Sequence, residues 1–261
     1  MPVAHVNGTS IQYRLDGPAQ APALVLCNSL GSDLRMWDRV VPALAGSWRV
    51  IRHDARGHGG SPATLGPYSV ELLARDALGL LEALGIRSPH LCGLSLGGMV
   101  GMWLAANVPA SLASLVLCNT TARMAHPEGY QQRIAQVRAG GVAAVADAAL
   151  AIWFTPRFRV EQPEELARAR EMILGTSAEG YAAACAAVRD HDARAWLPQV
   201  TAPTLVVAGR EDAVTPPADG RFLAQAIPGA RYVELPVAHL SALEAGPALG
   251  AEIASFLAGL S

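Results

Sequence analysis

Lysine is missing altogether: the 20 basic residues among 261 are all arginine. That excludes a Schiff-base lysine, a phosphate-loop lysine and a Ser-Lys catalytic pair. Charge is scarce too, at 16 % of residues with a net charge of −2. With no basic cluster, neither nucleic acid nor an anionic membrane surface is an expected partner. Cysteine is limited to Cys27, Cys92, Cys118 and Cys185, with no C-x-x-C pair. Such spacing predicts buried thiols in a reducing, cytoplasmic compartment rather than a disulfide frame or a metal site. No stretch of about 18 apolar residues occurs, so no transmembrane helix is expected. The first 17 residues lack a basic segment followed by an apolar one, so no signal peptide is expected either. In that setting the glycosylation-type triplets at Asn7 and Asn119 carry no weight.

What is present is apolar material, 51 % of the chain. A chain this long buries roughly 70–75 % of the surface it exposes unfolded, so it needs no staple. Short apolar runs recur at 23–27, 48–51, 90–92, 112–118, 204–208 and 231–235, each ending in small or polar residues. Their length suits strands buried on both faces of a parallel sheet. The alternation at 12–15 predicts an edge strand. Helical periodicity fills 70–84, 99–107, 216–226 and 247–260, with Gly85 as a C-cap and Pro at a first turn. Strand and helix alternate, which predicts an α/β fold with a mostly parallel sheet. The alternation breaks over 123–197, where helices are expected at 130–139, 142–153, 164–174 and 179–188. The chain therefore divides into a core, 1–122 and 198–261, and a helical insertion, 123–197. There is no internal repeat and no low-complexity linker.

Gly93-Leu94-Ser95-Leu96-Gly97 matches G-x-S-x-G, follows an apolar strand and opens a helix. A nucleophile on so sharp a turn projects above the sheet, and residues two before and two after it must lack bulk. The bland alternative is a glycine-rich turn with an inert serine. A serine hydroxyl needs a base. Of seven histidines, His239 lies just past the last predicted strand, where a loop can overhang the end of the nucleophile strand. His90 lies at the wrong end of its strand; His58, in a structural-looking loop, is the rival. An acid must hold the base, and Asp212 follows the strand at 204–208, with Glu211 the rival and a turn or helix-cap role the alternative. The order Ser, Asp, His is that of an α/β-hydrolase. Two backbone donors should stabilise an oxyanion: the N–H of Leu96 and, from the loop after 23–27, the N–H of Leu30. The polar stretch Asp54-Ala55-Arg56-Gly57-His58-Gly59 reads as an Asp–Arg lock on its turn, since a phosphate loop would need a lysine.

Over its whole length the chain resembles the α/β-hydrolase superfamily, with the insertion in the position of the cap. Within it, the chain is most similar to the 3-oxoadipate enol-lactonases. The stretches that carry the likeness are Asn28-Ser29-Leu30-Gly31-Ser32-Asp33-Leu34 with Met36-Trp37, Asp54 to Gly59, Cys92 to Gly98, Leu117-Cys118-Asn119-Thr120-Thr121-Ala122-Arg123, Trp153-Phe154-Thr155, Gly180-Tyr181, and Ala230 to Leu235. The resemblance implies hydrolysis of 3-oxoadipate enol-lactone to 3-oxoadipate in aromatic catabolism, with no metal or organic cofactor. The substrate then carries one free carboxylate, for which a cap arginine is the expected partner. Arg123, Arg133, Arg138 and Arg157 are candidates, and Arg133 is preferred, with Trp153 as an apolar wall. The rival readings are another ester or lactone hydrolase, a cofactor-free perhydrolase, or a non-catalytic protein that binds a small ligand.

Overall fold

The computed structural model describes residues 1–108 and 110–260. Its strands are β1 (Val3–Val6), β2 (Thr9–Asp16), β3 (Ala23–Cys27), β4 (Arg49–His53), β5 (His90–Leu94), β6 (Ser114–Cys118), β7 (Thr204–Gly209) and β8 (Arg231–Leu235). They form one sheet in the order β1-β2-β4-β3-β5-β6-β7-β8. From β4 to β8 the pairing is parallel; β1 and β2 are antiparallel additions. The apolar runs lie where burial is two-sided: all of β6 and β7 is buried, as are the last four residues of β3 and β5.

Two sequence-based expectations about the sheet change. Residues 12–15 belong to β2, which is not an edge strand: β1 covers its outer side. The hairpin between them turns at Asn7 and Gly8, both with positive φ (46° and 71°). Asn-Gly is the pair that such a two-residue turn favours. The strand expected at 112–118 begins only at Ser114.

The helices are α1 (Val70–Ala83), α2 (Leu96–Asn107), α3 (Pro127–Gly140), α4 (Ala143–Trp153), α5 (Pro156–Glu161), α6 (Pro163–Leu174), α7 (Ala178–Asp190), α8 (Pro217–Ala226), α9 (Ser241–Glu244) and α10 (Gly246–Ala258). Five of them, α3 to α7, lie between β6 and β7 as a helical cap. The short α5 is additional to the four helices expected there; Pro156 and Pro163, each at a helix start, delimit it. α2 starts at Leu96, not at residue 99, so Gly97 and Gly98 are helical. α9 likewise precedes the closing helix, which ends at Ala258. The two passages of chain between core and cap run side by side: Arg123 bridges Asp192, and Ala193 N–H donates to the Ala122 carbonyl (2.8 Å).

The expected Asp54–Arg56 lock is not formed. Arg56 instead grips Asp76 of α1 through two hydrogen bonds (2.8 and 2.6 Å), both side chains being buried. Asp54 accepts from the N–H groups of Leu34 and Gly60 and from Gln12 Nε2 (2.7, 2.9 and 2.8 Å). A fixed guanidinium fork needs a carboxylate presented in its plane, and α1 supplies one where the turn does not. The loop so held supports the cap: Ser177 N–H donates to the Gly57 carbonyl (3.2 Å).

The order β4-β3-β5 places a topological switch at β3, since the chain leaves β3 to one side and returns on the other. Ligand sites of open α/β sheets form outside the carboxyl ends of strands at such a point.

At the cap's exit, His191 is buried edge-on to Trp196, and neither ring nitrogen has a hydrogen-bond partner among the described residues. Burial lowers its imidazole to about 4. The unfolded chain therefore takes up this proton first, and stability falls as pH drops from about 6.5 toward 4. His191→Leu is expected to abolish this share of the acid loss, about 2–4 kcal/mol between pH 7 and pH 4. Urea unfolding of both proteins at the two pH values checks it.

Candidate active site

Ser95 stands between the end of β5 and the start of α2, with φ of +56°. A serine in that region is strained, and its neighbours enforce it. A Cβ on Gly93 would overlap the Gly97 carbonyl across the turn, and one on Gly97 would overlap the Cys27 carbonyl at the end of β3. From the other side, the end of β6 and the residues just after it clamp the serine backbone. Ser95 N–H donates to the Cys118 carbonyl (2.9 Å), and the Thr120 hydroxyl donates to the Ser95 carbonyl (2.8 Å).

The loop after β8 brings His239 to this turn. Its Nε2 lies 3.0 Å from Ser95 Oγ, and its Nδ1 lies 2.9 Å from Asp212 Oδ2. With Nδ1–H donating to the carboxylate, the lone pair of Nε2 faces the serine hydroxyl. Glu211 is exposed, and His58 is buried with Nδ1 against the Arg56 carbonyl (3.1 Å). His239 is 2 % exposed and Ser95 9 %, so the array is largely screened from water.

Asp212 has a full set of donors. Oδ1 accepts from Val214 N–H (2.8 Å) and Thr215 N–H (3.0 Å); Oδ2 accepts from His239, from the Thr215 hydroxyl (2.8 Å) and from Asn119 Nδ2 (3.0 Å). The turn role and the contact to His239 thus coexist in one side chain. Burial alone would raise the carboxyl, but the His239 charge and these hydrogen bonds overcome it and hold the group at about 2. By contrast, burial pushes the Cys27 and Cys185 thiols up to about 12, which makes them poor nucleophiles.

Two polar residues here, Asn119 and Thr215, were given no place in the site by the sequence alone. Asn119 sits at the end of β6 with φ of +44°, and its Nδ2 also donates to the Ala238 carbonyl (3.0 Å), next to His239. The signal was an Asn ending a buried parallel strand, a place where φ above zero favours Asn or Gly.

The N–H groups of Leu30 and Leu96 make no hydrogen bond among the described residues. Leu96 opens α2, where the first N–H has no helical partner. Leu30 lies in a turn closed by Ser32 N–H to the Ser29 carbonyl (3.3 Å). Asn28 steadies that loop, accepting from Trp37 Nε1 (2.8 Å) and donating to the His53 carbonyl (2.7 Å). Cap side chains roof it: a Cβ on Gly31 would lie 2.8 Å from Tyr181 Cε2 and 3.3 Å from Trp153 Cη2.

The four cap arginines differ in their partners. Arg123 faces Asp192 (3.9 Å), Arg138 faces Glu179 (3.8 Å) and Arg157 faces Glu161 (2.9 Å). Arg133 has no carboxylate within ion-pairing distance among the described residues. It is half-buried, 5.2 Å from the centre of the Tyr130 ring. Burial pushes the Tyr130 hydroxyl up to about 12 against the opposing charge of Arg133. Among the described residues no three His, Cys, Asp or Glu side chains cluster as metal ligands, and no helix is long and apolar enough to cross a membrane.

Residues 22–246 match the family model described as alpha/beta hydrolase fold. The chain belongs to the α/β-hydrolase family. It is 36 % identical over 250 residues to 3-oxoadipate enol-lactonase 2 of Acinetobacter baylyi, covering 94 % of each chain. It is 45 % identical to an enol-lactonase crystal structure from Burkholderia xenovorans, with a TM-score of 0.97 over 98 % of this hydrolase and 100 % of that chain. A thermophilic esterase from Thermogutta terrifontis is 29 % identical, with a TM-score of 0.94 over 100 % and 99 % of the two chains.

Asn119→Ala should leave the Ala238 carbonyl unpaired and take a donor from Asp212, costing about 1–3 kcal/mol. A carboxylate held at about 2 stabilises the fold above its unfolded value near 4 and loses that contribution as pH falls through 2. With one donor fewer, the Asp212 value rises and the loss begins at higher pH. Denaturant unfolding of both proteins between pH 2 and pH 5 measures the displacement.

Proposed function

We propose that this α/β-hydrolase is a serine hydrolase that opens 3-oxoadipate enol-lactone to 3-oxoadipate in the beta-ketoadipate route of aromatic-compound catabolism. The observation that carries the reading is the unbroken series Ser95 Oγ, His239 Nε2, His239 Nδ1, Asp212 Oδ2, with steps of 3.0 and 2.9 Å. His239 removes the proton as Ser95 attacks the lactone carbonyl, and Asp212 holds the imidazole and stabilises its charged form. The N–H groups of Leu30 and Leu96 receive the developing alkoxide, each worth about 3–4 kcal/mol in comparable sites. The ring C–O bond breaks with the enol oxygen as leaving group, His239 returns the proton, and the enol becomes a ketone. Water deprotonated by His239 then cleaves the acyl-serine.

Arg133 is the proposed partner of the free substrate carboxylate, because among the described residues it alone of the four candidates has no protein carboxylate opposite it. Trp153, whose ring lies beside Gly31 in the loop that carries Leu30, is the proposed apolar wall. The four free thiols suit a cytoplasmic setting.

Purified protein is expected to discharge the absorbance of the enol-lactone. Ser95→Ala should slow it by about 10⁴-fold or more with folding intact, as for other triad removals. Arg133→Met should raise KM for the lactone about 10- to 100-fold while leaving p-nitrophenyl acetate kinetics within about twofold, since a charge-assisted fork to carboxylate is lost. Faster turnover of p-nitrophenyl acetate than of the lactone would make this a general esterase. Failure of a fluorophosphonate to label the wild-type serine would overturn the reading.

A further inference from the structure

Glu244 ends α9, five residues after His239, and is half-buried with no arginine or histidine within ion-pairing distance among the described residues. A carboxylate withdrawn from water without a counter-ion needs neutral donors to offset its desolvation. Glu244 has them from two directions. Oε2 accepts the N–H of Ala238 (3.0 Å), the residue before His239. Oε1 accepts the hydroxyl of Thr155 in a short hydrogen bond, and the Thr155 N–H lies 3.4 Å from both oxygens. Thr155 is buried where the cap chain leaves α4, and its hydroxyl oxygen also accepts from Phe158 N–H (3.2 Å), capping α5.

A second bond joins the same two segments. Leu240 N–H, the residue after His239, donates to the Trp153 carbonyl (3.0 Å). The backbone N–H groups of both neighbours of His239 are thereby tied, through Glu244 and directly, to residues 153–155 of the cap. The same segment touches the loop after β3, through the Trp153 ring beside Gly31.

We infer that Glu244 is a positioning residue for His239: bridging Ala238 N–H to Thr155, it fixes where the imidazole stands relative to the cap wall. The inference rests on the reading of His239 as the general base. The alternative is a fastening of cap to core with no bearing on chemistry. The two differ in what they move, since misplacing a base by about 1 Å costs about 10²-fold in rate, whereas a lost fastening lowers only the melting temperature.

The test compares Glu244→Ala, Glu244→Gln and Thr155→Val with wild type, using p-nitrophenyl acetate turnover, fluorophosphonate labelling of Ser95 and thermal melting. Glu244→Ala should lower kcat about 10- to 100-fold with KM within about threefold, and slow labelling in parallel. Glu244→Gln should recover to within about fivefold of wild type. Its carbonyl can still accept from Ala238, and its amide can donate to the second lone pair of the Thr155 hydroxyl. Thr155→Val, which removes only the hydroxyl, should lower kcat at least about threefold at unchanged KM, and it carries the test if Glu244→Ala does not fold. Folded Glu244→Ala or Thr155→Val protein with kcat and labelling within twofold of wild type would overturn the inference, and so would Glu244→Gln as slow as Glu244→Ala. Wild-type protein that takes up no label defeats the serine-hydrolase reading instead, whatever the variants do.

Discussion

A serine backbone forced to a φ of +56° is the constraint around which the site is arranged. Nothing intrinsic to serine favours that conformation. It persists because Gly93 and Gly97 let the turn close on itself and on β3, and because the end of β6 holds its N–H and Thr120, just past β6, holds its carbonyl. The sheet thus supplies rigidity at the one residue where an exposed loop would have been soft. Orientation of a reactive group by packed elements lowers the entropic part of a barrier before any substrate arrives.

Much of this was legible in the residues, and the reasons differ by element. The parallel strands announced themselves because burial on both faces demands unbroken apolar runs, as in 23–27 and 204–208. The turn at Ser95 was legible because the close approach there leaves no room for side chains. His239 and Asp212 were reachable by position, since loops at the ends of neighbouring parallel strands converge. β1 was missed because its half-exposed residues carry little pattern, and the Asn7-Gly8 turn beside it was read only as a glycosylation-type triplet. α5 was missed because six residues between two prolines show no periodicity.

The polar partners were harder to read, and physical chemistry explains why. Arg56 pairs with Asp76, twenty residues away, because a helix presents a carboxylate in the plane of the guanidinium. Asn119 matters through one hydrogen bond to Asp212 and Thr215 through two, and such bonds leave no trace in periodicity or composition. Nothing in the sequence singles out Glu244; only the fold turns it toward two chain segments. Apolar patterning is a property of whole segments, whereas polar satisfaction is decided atom by atom.

The side-by-side passage of the chain at Arg123 and Asp192 has a consequence for how such a scaffold diversifies. Because the ends of the inserted segment already meet, lengthening or exchanging what lies between them adds little loop-closure entropy and leaves the sheet untouched. A transplanted roof is therefore tolerable to the open sheet beneath it. It would keep the His239 imidazole in register only if it also supplied a hydroxyl donor where Thr155 now stands.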